Sequence, residues 1–252
     1  MIRETLTILP RFCGPSNSGN GGYVCGCIAR HIPGVTSVRL RMPPPLNVPL
    51  QLESHDTGAR LFFGDKLVGE GRPALLEMEK PEFISFDRAM DAARSYAGFR
   101  YHSFPRCFVC GPLREKGDGL QIFAGPVCQE SVVASPWVVD ASLARDGVVP
   151  DAFLWAALDC PGAFAVAPSV GKGMTVVLGE LTASINGKVK PGDRCVAMGW
   201  PLETDGRRHA AGTAVFSESG KLIGLARATW VEISENLFPP ENPKQNSHTS
   251  TV

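Results

Sequence analysis

The chain has 252 residues, which at about 150 residues per domain bounds it to one large domain or two ordinary ones. Its 25 Lys plus Arg balance 25 Asp plus Glu, so it lacks the basic excess of a protein that binds nucleic acid or an anionic membrane. With 44% hydrophobic and 20% charged residues it can bury a large core, which excludes wholesale disorder, and its 27 Gly and 21 Pro disfavour a plain helical bundle.

Residues 1–8 alternate polar and apolar side chains and lack the apolar run of a signal peptide. No stretch approaches the roughly 18 apolar residues of a membrane span. The eight cysteines therefore read as reduced thiols in a cytoplasmic protein. Residues 20–31, opening with Asn20-Gly21-Gly22-Tyr23, are apolar on nearly every face, the pattern of a buried helix. Residues 38–50 read as strand, proline turn and strand, and residues 61–69 as a hairpin with a tight polar turn. In residues 85–97, Phe86, Ala89, Met90, Ala93 and Ala97 recur at helical spacing, which predicts an amphipathic connector helix with Ser85 or Asp87 as its cap.

A second half begins near Pro105. It holds a second all-apolar helix over 150–166, a strand–proline turn–strand over 184–196 and a hairpin over 215–224. These repeat the order and approximate spacing of the first half, so the chain reads as an internal duplication. The expected organisation is a first half over 1–84, a connector over 85–104, a second half over 105–233 and a disordered polar tail over 234–252. Cys107-Phe108-Val109-Cys110 has metal-ligand or redox spacing. A structural zinc needs four ligands, and no second such pair or paired histidines accompany it, so metal and redox roles are disfavoured. Cys13, Cys128, Cys160 and Cys195 sit among apolar neighbours and read as small buried hydrophobes.

Several strings resemble the hotdog-fold acyl-thioesterases. Cys107 to Pro112, followed by Gly117-Asp118-Gly119-Leu120, resembles the opening strand region of small members. Ser18 to Gly22 resembles their Gly-Gly helix start, and Leu158-Asp159 their mid-helix acid. Two such halves in one chain resemble the acyl-CoA thioesterase II type. The resemblance implies an α+β fold, a tandem or double hotdog in which each half curls an antiparallel sheet around one buried helix. It also implies an acyl-CoA or acyl-carrier thioester as substrate, with coenzyme A present only as part of it, and no metal or bound cofactor. Homo-oligomers of the double-hotdog unit are implied too. The departures are specific. The family's helix-start histidine is replaced by Asn20 and Pro150, the first helix has Ala29 and Arg30 where the second has its acid, and the last-strand glutamine falls within Arg227-Ala228-Thr229-Trp230.

Thioester hydrolysis needs an activated water or a carboxylate nucleophile, and donors for the developing oxyanion. A helix start supplies free N–H groups and a positive dipole end, and glycines there let a carbonyl approach closely. This assigns the Gly22 or Tyr23 N–H as donor, Gly21 as close-approach residue and Asn20 as the group orienting thioester or water. The alternative is that Asn20 only caps and the glycines only pack. A carboxylate in an apolar helix must be paired, protonated or facing a cleft. The resemblance makes Asp159 the general base or nucleophile, and the alternative has it capping a turn broken by Pro161. The resemblance to hotdog dimers, whose sites combine the helix start of one subunit with the acid of the other, implies a composite site that joins Asn20 and Gly22 of one half to Asp159 of the other.

The resemblance implies a hydroxyl near the acid at Thr182 or Ser184, and the alternative is a solvent-facing polar strand face that they share with Glu180. Trp155, Phe153, Phe164 and Trp137 line an acyl tunnel or fill the core. Arg106, Arg114 and Lys116 meet coenzyme A phosphates or remain solvated. His31, His55, His102 and His209 form no ligand spacing. No Gly-x-Ser-x-Gly elbow occurs, and the glycines of 14–22 lack a phosphate-loop ending. Two rival functions remain: an acyl-thioester hydratase or dehydratase, and a hotdog protein that binds acyl thioesters or lipid without turnover.

Overall fold

In the first half, strands β1 (Ile2–Thr7), β2 (Thr36–Leu40), β3 (Pro49–His55), β4 (Gly58–Phe63) and β5 (Lys66–Pro73) surround helix α1 (Gly21–Ala29) in a computed structural model that describes residues 1–127 and 131–237. Helix α2 (Phe86–Ala93) follows. Next come β6 (Gly125–Pro126), β7 (Val133–Val138), helices α3 (Asp151–Ala157) and α4 (Cys160–Val166), and strands β8 (Met174–Ile185), β9 (Arg194–Asp205), β10 (Arg208–Ser217) and β11 (Leu222–Ser234). Cys128 and residues 238–252 of the expected tail lie outside the described residues, while residues 235–237 form a 3-10 turn after β11.

All strands join one antiparallel sheet in the order β1-β3-β4-β5-β2-β8-β11-β10-β9-β7-β6. From the central β2–β8 pair outward, each half has the same order: its first strand after the buried helix, then its last, then back to its earliest. The sequence repeats fall on equivalent pairs. Residues 38–50 span β2 and β3 where 184–196 span β8 and β9; the hairpin of 61–69 is β4–β5 where that of 215–224 is β10–β11.

Helices α1, α3 and α4 lie on one face of this sheet and bury their apolar surface there and on each other. Helix α1 packs on β2, β4, β5 and β8, α4 packs on β7, β9, β10 and β11, and α1 crosses α3. The crossing is tight because glycines stand at it. A Cβ on Gly26 would come within 2.6 Å of the Ala152 Cα and 2.9 Å of the Trp155 Cβ. Residues Asp151–Ser169 are apolar enough to be mistaken for a membrane span, but two thirds of that segment is buried inside the protein.

Three elements differ from the sequence expectation. The second buried helix is not continuous: it breaks at Leu158–Asp159 into α3 and α4, so the second half is not wrapped around one rod. Pro161 has no N–H for the Ala157 carbonyl, and the Gly162 N–H turns to the Asp159 carbonyl at 3.0 Å. Helix α2 does begin at Ser85, whose hydroxyl accepts from the Arg88 N–H, but its buried stripe is Phe86, Ala89 and Ala92, with Met90 and Ala97 exposed. That stripe covers a second core on β7 and β9 with Val132, Val196, Met198 and Phe216. The connector is thus a packed layer of the second half. Finally, residues 107–120 form turns and not a strand, since Gly111-Pro112 and Gly117, at φ +84°, interrupt extended backbone.

At an exposed helix position Gly→Ala gains up to about 1 kcal/mol. At Gly26 the added methyl meets the backbone of α3, so overpacking of about 1–3 kcal/mol opposes that gain. Gly26→Ala is expected to lower unfolding free energy by about 1–2 kcal/mol in urea titration; an unchanged or raised midpoint would show that the helix crossing is loose.

Candidate functional site

Asn20 caps α1: its backbone is extended and its Oδ1 accepts from the Tyr23 N–H at 2.9 Å. Its Nδ2 points the other way and donates to Asp159 Oδ2 at 2.7 Å. The Gly22 N–H donates to the same oxygen at 2.9 Å. Asp159 occupies the N-cap position of α4, yet its side chain makes no cap bond there. It reaches across the two halves to the start of α1. Gly22 has to be glycine for this approach, because a Cβ would stand 2.5 Å from the Asp159 Cβ and 2.6 Å from the Trp155 carbonyl oxygen.

The carboxylate is 2% exposed. Burial pushes its pKa up, and the Gly22 and Asn20 donors pull it down, which leaves it at about 7. Oδ1 has no hydrogen-bond partner among the described residues. Asp159, Asn20 and Gly21 line a cavity of about 860 Å³, a volume suited to a small-molecule site. Its wall is mostly apolar, with Met42, Pro44, Phe164, Val176 and Leu178 among the lining residues. Gly21 lines the cavity too, and no hydrogen bond engages its N–H among the described residues. The Trp230 indole N–H is likewise buried and unpartnered, and Trp230 lines the same cavity.

Asn20, Gly21, Gly22 and Asp159 are therefore brought together from opposite halves. The other sequence candidates lie elsewhere. The Gly22 and Tyr23 N–H groups are already occupied by Asp159 and Asn20, so neither is free for an oxyanion; Gly21 is. The Tyr23 ring stacks on Phe12 at 4.4 Å in an aromatic cluster with Phe108 and Phe153. Trp155 is core at the α1–α3 crossing and does not line the cavity. Thr182 donates to the Ser37 hydroxyl at 2.9 Å, which donates to Glu180 at 2.8 Å, on the polar face of the β2–β8 junction. Of the proposed tunnel aromatics, Phe164 lines the cavity, whereas Phe153 and Trp137 are core. Arg114 is 7% exposed in its side chain and bonds the Arg106 carbonyl and Asp118, a structural role. His209 is satisfied by Glu232 at 2.8 Å and Thr204 at 3.1 Å.

Sequence reasoning did not bring together one cluster on the cavity wall. Cys110, Cys160 and His102 join Cys107 beside Asp159, with 3.7 Å between the Cys107 and Cys160 sulfurs and 3.3 Å from His102 Nε2 to the Cys110 sulfur. The Cys107-x-x-Cys110 spacing was visible, but nothing in the chain order joins Cys160 or His102 to it.

No family model matches the sequence, and no curated protein matches it. Solved structures do. The tesB protein of Mycobacterium avium subspecies paratuberculosis aligns over 92% of this chain and 93% of its own, with TM-score 0.58 and 15% identity. A Thermobifida fusca protein provisionally named thioesterase II aligns over 92% of each chain, with TM-score 0.57 and 14% identity. A conserved Alicyclobacillus acidocaldarius protein of unknown function with a hot dog fold covers 92% of this chain and 93% of its own, with TM-score 0.50 and 9% identity. The chain has the hotdog fold of these proteins, and it matches them over nearly the whole of their length.

Asn20 both caps α1 and holds the buried carboxylate, so Asn20→Ala loses a cap and strips a donor from Asp159. The expected cost is about 2 kcal/mol, falling by about 1 kcal/mol in an Asp159→Ala background where the stranded oxygen is gone. Urea unfolding of the four members of this cycle measures it; additive effects would dissolve the pairing.

Proposed function

We propose that the protein is a double-hotdog thioesterase that hydrolyses an acyl-CoA or acyl-carrier thioester, with one composite site formed by both halves. The observation that carries this reading is the junction of Asp159 with the start of α1 at an apolar cavity: one carboxylate oxygen is fixed by Asn20 and Gly22 and the other is free. The mirrored strand order supports the duplication, and the names of the structural neighbours support the reaction class.

In this reading the apolar cavity takes the acyl chain. The thioester carbonyl oxygen points at the Gly21 N–H, at the positive end of α1, where it gains most as negative charge develops. Asp159 Oδ1 takes a proton from water as the water oxygen bonds to the acyl carbon. The tetrahedral oxyanion then collapses, the C–S bond breaks, and the proton passes from Asp159 to the leaving sulfur. A carboxylate with a pKa of about 7 suits both transfers near neutral pH. Trp230 lines the cavity on the strand where the family glutamine would stand, with its buried indole nitrogen beside Gly162 of α4. The reaction needs no bound organic cofactor, and coenzyme A enters only as part of the substrate. In this reading the protein works in a reducing, cytoplasmic setting. The double-hotdog unit is expected to assemble into homo-oligomers.

Thiol release measured over a panel of acyl-CoA lengths tests the proposal. Asp159→Asn preserves the acceptor for Asn20 and Gly22 while removing the base. It is expected to lower kcat by at least about 100-fold with an unfolding midpoint no lower than the parent's, because general-base catalysis contributes about 10²–10⁴-fold and a buried charge is removed. Saturable acyl-CoA binding without thiol release from the parent would make it a binding protein. A change in enoyl absorbance without thiol release would make it a hydratase.

A further inference from the structure

Cys107 and Cys110 leave one turn on the same side, and Cys160 is the first residue of α4. The turn is closed by the Gly111 N–H bonding the Cys107 carbonyl at 2.9 Å, and a Cβ on Gly111 would lie 2.5 Å from the Cys107 nitrogen. The three sulfurs all lie within 4.8 Å of one another, and each residue is at most 6% exposed. A tetrahedral zinc ion with Zn–S bonds of about 2.3 Å sets its sulfur ligands about 3.8 Å apart, so the 3.7 Å between Cys107 and Cys160 already matches that spacing.

Two N–H donors surround the cluster from outside. The Phe104 N–H donates to His102 Nδ1 at 2.9 Å, so the neutral ring carries its proton on Nε2, 3.3 Å from the Cys110 sulfur. Asn20 Nδ2 stands 3.9 Å from the Cys107 sulfur. Donors aimed at sulfur are what a set of metal-bound thiolates requires to offset its excess negative charge. The sequence objection to a metal was the lack of ligands beyond Cys107 and Cys110. The fold supplies the third from a helix more than fifty residues away.

We propose that Cys107, Cys110 and Cys160 form a binding site for a soft divalent cation of the zinc class, with His102 as an outer donor to Cys110 and the fourth coordination position open to the cavity. Three protein ligands plus an open position is one of the two common zinc arrangements. The cation would clamp the 107–111 turn to the start of α4, next to Asp159. The proposal stands on the cluster alone and does not depend on the hydrolysis.

Cobalt(II) titration of the full, reduced chain tests it without any variant. A thiolate-to-cobalt charge-transfer band that saturates at about one equivalent and is displaced by zinc is the expected result. Cys160→Ser is expected to weaken binding more than about 100-fold, His102→Ala by about 10- to 100-fold as an outer partner, and Cys27→Ser not at all. No charge-transfer band, parental affinity in Cys160→Ser, or a Cys107–Cys160 disulfide persisting under reductant would each overturn the proposal.

Discussion

One carboxylate oxygen ties the two halves together. Asp159 Oδ2 accepts from the Gly22 N–H and the Asn20 amide of the other half, and these bonds form where α1 and α3 cross through glycines. The arrangement opposes a large desolvation cost with two short donors, one of them at the positive end of a helix. It satisfies only half of the carboxylate. The remaining oxygen is buried and unpartnered among the described residues, on a residue that lines the cavity.

The local structure of the second half follows from placing that acid. Pro161 breaks the buried helix just past Asp159, and the break lets the side chain leave α4's own axis for α1. The broken turn leaves the Leu158 carbonyl without its usual helical donor, and Thr213 on β10 supplies one at 2.7 Å. Gly199 on β9 makes room beneath, where a Cβ would lie 2.4 Å from the Pro161 carbonyl oxygen. Helix break, strand threonine and strand glycine act as one support for a single carboxylate. The capping role that Pro161 suggested for Asp159 is instead left without a side-chain bond.

The sequence revealed those parts of the fold that repeat or break a pattern. The proline turns, the hairpins and the all-apolar helices were legible because each has a short-range signature, and their recurrence exposed the two-half order. Asp159 stood out because a carboxylate in an apolar run demands an explanation. The parts that were not legible are long-range. Whether the Gly22 or the Gly21 N–H stays free depends on which one Asp159 occupies. Thr182 faces Ser37 because β8 pairs with β2, a partnership that local alternation does not encode. Cys160 joins Cys107 and Cys110 only once α4 lies against the 107–111 turn. The α2 stripe takes Ala92 in place of Ala93 and leaves Met90 and Ala97 exposed, a choice made by packing on β7 that helical spacing alone does not encode.

The central claim is that the free Asp159 oxygen and the Gly21 N–H address the same thioester. A crystal structure of the chain with an acyl-CoA analogue in which a methylene replaces the thioester sulfur tests this directly, since the analogue keeps the carbonyl and cannot be hydrolysed. The account predicts the carbonyl oxygen about 3 Å from the Gly21 nitrogen, the acyl chain in the apolar cavity and Asp159 Oδ1 facing the acyl carbon. An analogue seated elsewhere, or one whose carbonyl turns away from the start of α1, would contradict it.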